Sequence, residues 1–326
     1  MYKFILALYL LTFSTLYAQT SNRQSVSIIL DTDIGPDYDD VGAMAVLHAL
    51  ADRGEVIPLA VIASNKNELV VPAIEIINTY FGRPELPAGA PKGDGASYGA
   101  SQKWPEMLVA KYPQKITKTS DAPNAVEVYR KILSGQPDKS VTIVTIGFLT
   151  NLKDLLDSKP DKISLLSGTE LVKKKVKHLV SMAGAFPQGR EYNVYADSSA
   201  SEKVFTNWPT QIIFSGFEIG KQIKTGLKVI ANENLHSPVK DVYALSMPLS
   251  KGDVDGRMSW DQTAVLVAIR GVQPYFGLKR GKIIIEGGNN KWQDDPMGQH
   301  GYLTEAMPFT QITEVIEGLM MWAGKK

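Results

Sequence analysis

Apolar positions fall into short unbroken runs, separated by longer stretches in which they recur at helical spacing. Ser25–Asp31 (SVSIILD) is a β-rich run and reads as a buried strand. Val41–Leu50 carries apolar residues at helical spacing and stops near Gly54. Val56–Ala63 reads as a second strand. Leu69–Phe81 reads as an amphipathic helix, ended by Gly82 and Pro84. Pro87–Gly99, rich in Gly and Pro, reads as loop. Ala122–Leu133 predicts a helix with Pro123 in its first turn and Gly135 beyond its end. Val141–Ile146 predicts a strand, followed by GFLTN and a helix through Leu156. Predicted further on are a strand at His178–Met182, a helix at Ser199–Phe205 and a strand at Gln211–Phe214. A helix at Trp260–Arg270 and a strand at Lys282–Glu286 follow. This alternation, with no linker and no repeat, predicts a single α/β domain: a mostly parallel central sheet with helices on both faces. Such sheets bind ligands at the carboxyl ends of their strands, so chemistry is expected just after Leu30, Ala63, Ile146 and Met182.

The first residues stand apart from this pattern. Met1–Ala18 has Lys3 as its only charge and an uncharged, mostly apolar run from Phe4 to Tyr17. It reads as a secretory signal cleaved after Ala18, leaving residues 19–326 as the exported, periplasmic domain. The run is shorter than the ~20 apolar residues that span a bilayer, so no membrane attachment is expected after cleavage. No cysteine follows to carry a lipid. The charge balance narrows the partners. With 35 Lys+Arg against 34 Asp+Glu, the net charge is +1. That is too little for non-specific binding of nucleic acid or anionic membrane. The absence of cysteine excludes disulfide scaffolds, thiolate zinc sites, iron–sulfur clusters and a cysteine nucleophile.

The near-zero net charge hides a local excess of acid. Directly after the first predicted strand comes Asp31-Thr32-Asp33-Ile34-Gly35-Pro36-Asp37-Tyr38-Asp39-Asp40, with five carboxylates in ten residues. Like charges this close are costly unless some are protonated or a cation joins them. The dipole of the following helix, worth roughly 0.3–1 kcal/mol per charge, is too small to hold them. An all-oxygen ligand set favours Ca²⁺ or Mg²⁺. A solvated acidic loop capping the helix through Asp39 or Asp40 is the bland alternative. An EF-hand loop fits poorly, because its twelfth position falls on Gly42 and a strand precedes it. A phosphatase with an Asp nucleophile also begins D-x-D, but carries Thr or Val where Gly35 stands.

DTDIGPDYDD resembles the signature of the inosine–uridine preferring nucleoside hydrolase family (nucleoside N-ribohydrolases). Further landmarks follow in the family's order: IGFLTNL at Ile146–Leu152, MAGAF at Met182–Phe186, REYNVYAD at Arg190–Asp197 and WDQTAVL at Trp260–Leu266. The resemblance spans about Ser25 to Arg270. It implies the family's Rossmann-like fold, a calcium cofactor and hydrolysis of the N-glycosidic bond of ribonucleosides to ribose and free base. By resemblance, Asp33 is a metal ligand and the catalytic base. Asp40, the Ile146 carbonyl and Asp261 are further calcium ligands. Asp39, Asn65, Glu191, Asn193 and Asp261 contact ribose. Trp260 faces the base. The nucleoside is the small-molecule partner, and the resemblance suggests a homo-oligomer.

Some positions depart from the family's pattern. The loop from Gly35 to Asp39 is two residues longer than the commonest form, so Asp37 competes with Asp39 for the sugar. Ala185–Arg190 offers no Asn, which removes one sugar contact. Trp260 stands where many members place a His that protonates the leaving base. Its ring can stack on a nucleobase instead, worth roughly 1–3 kcal/mol, and purine-preferring members resemble this arrangement. Trp104 is a candidate second stacking residue, set against simple packing. His300 is a candidate acid or base contact. His48 reads as packing or surface, His178 as the start of a strand, Asp294-Asp295 as loop and Lys173–Lys177 as a solvated turn. Two alternatives remain: hydrolysis of another ribosyl substrate on the same fold, or an exported non-catalytic protein that binds calcium or nucleoside.

Overall fold

Most of the apolar runs become strands buried on both faces. In the first strand Ile28 and Leu30 point into one core cluster and Ile29 into the other. The computed structural model describes residues 25–325. Its strands are β1 (Val26–Thr32), β2 (Val56–Ala63), β3 (Ala88–Gly89), β4 (Val141–Thr145), β5 (Val176–Met182), β6 (Gln188–Gly189), β7 (Gln211–Ser215), β8 (Lys224–Thr225), β9 (Arg257–Met258), β10 (Phe276–Glu286), β11 (Asn289–Asp294) and β12 (His300–Glu305). Ten of them form one sheet in the order β3-β2-β1-β4-β5-β7-β12-β10-β11-β6, while β8 and β9 pair separately. Neighbours from β3 to β12 are parallel. The pairs β12–β10, β10–β11 and β11–β6 are antiparallel.

One helical layer contains Asp39–Asp52, Val70–Tyr80 and Trp260–Arg270, packed on Leu30, Val61, Val144 and Val180. The other contains Ala125–Gly135, Thr150–Asp157, Gly168–Lys175 and Ser198–Asn207, packed on Ile29, Ile62, Ile143 and Leu179. The expected α/β architecture is therefore the observed one. The chain leaves β1 toward β2 and β3 on one side, and β4 leads to β5 and β7 on the other. The order reverses between β1 and β4, which opens a crevice at their carboxyl ends.

Element boundaries differ from the expectation for local reasons. The first helix begins at Asp39, so Asp39 and Asp40 occupy its first turn, where the dipole favours acids. The helix expected from Ala122 begins at Ala125, because the Asn124 side chain caps it by accepting from the Val126 N–H. Lys173–Lys175 are the last turn of a helix, not a solvated turn. That helix is opened by the Ser167–Glu170 capping box, and lysines complement its carboxyl end. Val176 starts β5, two residues before His178. Asp294 closes β11 rather than lying in a loop. The 87–99 segment contributes β3 to the sheet edge. Helices at Trp104–Lys111, Pro238–Ser246 and Phe309–Met320, and strands β11 and β12, were not anticipated. Among the described residues no helix is long and apolar enough to cross a membrane. The expected signal, Met1–Ala18, lies outside the described residues.

Candidate active site and metal centre

A cavity of about 370 Å³ opens at the crevice between β1 and β4. Seven of the residues singled out from the sequence line it: Asp33, Asp39, Ile146, Glu191, Asn193, Trp260 and Asp261. Their convergence follows from the topology. Asp33 follows β1, Ile146 follows β4, Glu191 and Asn193 follow β5, and Asp261 sits in the first turn of the helix Trp260–Arg270. Asp37 also lines the cavity. Asp40 is buried and held by the Thr32 hydroxyl, which donates to its Oδ1.

Asp37, Asp39, Asp40 and Asp261 each offer a carboxylate oxygen within 4.8 Å of the others. This grouping adds Asp37 and Asp39 to the expected Asp40 and Asp261 and does not include the expected Asp33, which feels the charges of Asp40, Asp37 and Asp39. Burial, then the charges of Asp40, Asp37 and Asp39, hold Asp33 well above the ordinary carboxylate range. Asp261 is raised by burial and by Asp39 and Asp40. Burial raises Asp39 too, against the pull of Arg257. Burial and then Asp37 push Asp40 up to about 7. Left to themselves these acids hold protons. A cation in their midst reverses that preference. The donor set, all hard oxygens and without sulfur or imidazole, fits Ca²⁺ or Mg²⁺.

Below the cluster, Asp31 is sealed from solvent and pushed up to about 7 by burial. Tyr129 Oη and Asn151 Nδ2 donate to its Oδ2, and the Ser64 side chain stands beside it. Folding thus raises Asp31 and Asp40 above the value of 3.8 they have in an unfolded chain. Between those values the folded protein keeps protons that the unfolded chain has released, so stability falls as pH rises from about 4 to about 7. The check is the unfolding midpoint in chelator across that window. It is expected to decline toward pH 7, with a divalent cation recovering the part due to Asp40 but not the part due to Asp31. A midpoint that climbs over the same window would contradict this.

Arg257, which the sequence reading did not single out, enters the same cluster from β9. Its Nη2 lies 2.6 Å from Asp39 Oδ1 and 2.7 Å from Asp37 Oδ2. Its Nε donates to Asp39 Oδ1 at 3.1 Å. The guanidinium also sits 5.0 Å from the Tyr38 ring centre and 5.2 Å from that of Trp260. Tyr192, Tyr195, Phe217, Met182 and Arg190 complete much of the wall. Tyr192 lies inside the REYNVYAD run, but no periodicity marks Phe217 or Arg257.

The remaining candidates separate clearly. Asn65 is fully buried and does not line the cavity. Its Nδ2 donates to the carbonyls of Asp33 and Tyr98, and its Oδ1 accepts from the N–H groups of Asn67 and Tyr98. With its donors and acceptor so used, it fixes the Asp33 backbone rather than facing a sugar. Glu191 caps the helix Tyr192–Ala196, accepting from Asn193 and Val194 and also from the Gly184 N–H. Asn193 Nδ2 donates to the Met182 carbonyl. Trp260 donates its indole N–H to the Phe217 carbonyl and stacks on the Phe217 ring at 5.3 Å. What it presents to the cavity is therefore a ring face or edge, not a hydrogen bond. Trp104 is fully buried in the core, which removes it as a stacking residue. His300 opens β12, pairing with Ile212 near the start of the parallel strand β7. It thus lies at the amino ends of the strands, opposite the cavity, and its Nδ1 accepts from the Ile283 N–H. His48 is buried, paired with Asn78 and stacked on Phe81.

Fold and site together define a class: an α/β enzyme whose oxygen-rich centre lies at the switch point of a parallel sheet. The sequence profile of the inosine-uridine preferring nucleoside hydrolases matches residues 28–301. The chain belongs to that family, and is a hydrolase with a small-molecule nucleoside substrate. No curated protein matches it. Solved structures share the fold at low identity. The inosine-uridine preferring nucleoside hydrolase from Bacillus anthracis has a TM-score of 0.67 at 15% identity, covering 91% of this chain and 99% of that one. The purine-preferring ribonucleoside hydrolase from Gardnerella vaginalis has a TM-score of 0.68 at 17% identity, covering 90% and 99%. The type III effector protein XopQ, complexed with adenosine diphosphate ribose, has a TM-score of 0.71 at 13% identity, covering 92% and 95%.

Proposed function

We propose that this chain is a calcium-dependent, purine-preferring nucleoside hydrolase of the periplasm. The observation that carries the reading is one cavity in which a carboxylate cluster meets an aromatic wall of Trp260, Phe217, Tyr192 and Tyr195. Asp33, Asp40, Asp261 and the Ile146 carbonyl would hold the ion. When bound, it supplies positive charge that acidifies a nearby water and grips the sugar hydroxyls. Asp33 is the base that takes the water's proton. Asp39 and Asn193 border the cavity where hydroxyls need acceptors and donors. As the bond to the base breaks, positive charge develops on the ribose, and the surrounding carboxylates favour it. No histidine is among the described cavity-lining residues. The nucleobase therefore leaves with the electron pair of the broken bond, takes its proton from solvent rather than from a side chain, and departs against aromatic rings, which favours large, readily stacked purines.

The test is kcat/KM over a panel of inosine, adenosine, guanosine, uridine and cytidine. Purines are expected to lead. Trp260→Ala is expected to lower the purine values about 10–100-fold, in line with the worth of one stacked base, and the pyrimidine values less. Equal loss across the panel would contradict the stacking role. Adenosine diphosphate ribose belongs in the same panel. The XopQ structure holds that compound, and the exposed Arg190, stacked on Tyr195 at 4.4 Å, could meet an anionic extension of the sugar. For export, a mature amino terminus at Gln19 in a periplasmic fraction is expected. Retention of Met1 there would contradict cleavage.

A further inference from the structure

Four carboxylates crowd the candidate metal centre, and one buried guanidinium divides them. Arg257 is 9% exposed and is fixed from several directions. Its Nη2 binds both Asp37 and Asp39, and its Nε binds Asp39 again. Nη1 lies 3.7 Å from Asp253 Oδ2. That Asp253 oxygen also accepts from the Tyr38 hydroxyl at 2.5 Å, and the Tyr38 and Trp260 rings lie near the guanidinium. Asp40 is tied instead to Thr32 on β1. A planar guanidinium with charge-assisted contacts this short holds its carboxylates firmly. It also repels a dication that tries to share them.

We propose that Arg257 is a positioning residue that withholds Asp37 and Asp39 from the cation. The ion is left to Asp40, Asp261 and Asp33, and Asp39 is kept in place at the cavity wall for the sugar. This assignment rests on the calcium reading given above. It resolves the rivalry between Asp37 and Asp39: both belong to Arg257, but Asp39 is buried and fixed twice, whereas Asp37 is half-exposed.

The experiment is calorimetric titration of calcium into the whole protein, paired with steady-state kinetics on inosine. Asp39→Asn is expected to leave calcium affinity unchanged and to raise KM, whereas Asp40→Asn is expected to weaken calcium binding more than ~10-fold. Arg257→Met is expected to tighten calcium binding about 10-fold, because a neighbouring positive charge is gone, and to raise KM. Arg257→Lys, which keeps the charge without the fork, is expected to leave calcium affinity unchanged while KM still rises. If the Met variant does not fold, the Lys variant and the contrast between Asp39→Asn and Asp40→Asn decide the matter. Loss of calcium affinity in Asp39→Asn equal to that in Asp40→Asn would overturn the assignment, as would weaker calcium binding in either Arg257 variant. No calcium binding by the unaltered protein would contradict the reading of the centre itself, and the assignment with it.

Discussion

Replacing Asp33 by Asn is expected to lower kcat for inosine on the order of 10³-fold while the protein stays folded. The exchange keeps the side-chain shape and removes the group proposed to take the water's proton, a role worth about 10²–10⁴-fold. Asp33 is also raised by burial and by Asp40, Asp37 and Asp39, so in chelator at neutral pH the fold keeps on it a proton that the unfolded chain releases, which costs stability. The variant's unfolding midpoint in chelator at neutral pH is therefore expected to equal or exceed that of the unaltered protein. Ribose release and thermal melting followed by circular dichroism check both halves. Retention of more than about a tenth of the activity would refute the role of base.

Gly147→Ala is the second large effect, and it acts from outside the chemistry. Gly147 follows β4 where that strand runs beside the exit of β1. A Cβ there would lie 2.5 Å from the Asp33 nitrogen, 2.6 Å from its Cβ and 2.7 Å from its Oδ1. The backbone nitrogen cannot swing aside, so the two strand ends must part. Overpacking of this kind costs about 1–3 kcal/mol, and a displacement near 1 Å in a catalytic group costs roughly 10²-fold in rate. Denaturant unfolding and kcat/KM for inosine test the two consequences separately. A variant with unchanged kcat/KM would show that Asp33 has more room than the packing indicates.

The fold and the acidic end of the site were legible because they are written locally. Buried strands of a parallel sheet are continuous apolar runs; β1 and β4 end directly before the cavity-lining Asp33 and Ile146, and β5 ends on the cavity-lining Met182. Once the strands are recognised, the switch point brings Asp33, Ile146 and Glu191 together. Arg257 was not legible. Its partner Asp39 is 218 residues away in sequence, and it sits on a two-residue strand paired with Lys224–Thr225, too short to leave a pattern. Asn65 follows β2 as a sugar-binding residue would, yet only the coordinates show its amide already engaged by Asp33, Asn67 and Tyr98. His300 and Trp104 were ambiguous for a different reason. Residue type says nothing of which end of a strand, or which side of a helix, a ring will occupy. One is at the amino ends of the sheet and the other is buried in the core.

The most direct test of the account is ribose release from inosine by the purified protein, measured first in excess chelator and again after calcium is restored. The account predicts no release in chelator and turnover once calcium is present. Equal turnover in both conditions, or none in either, would contradict it.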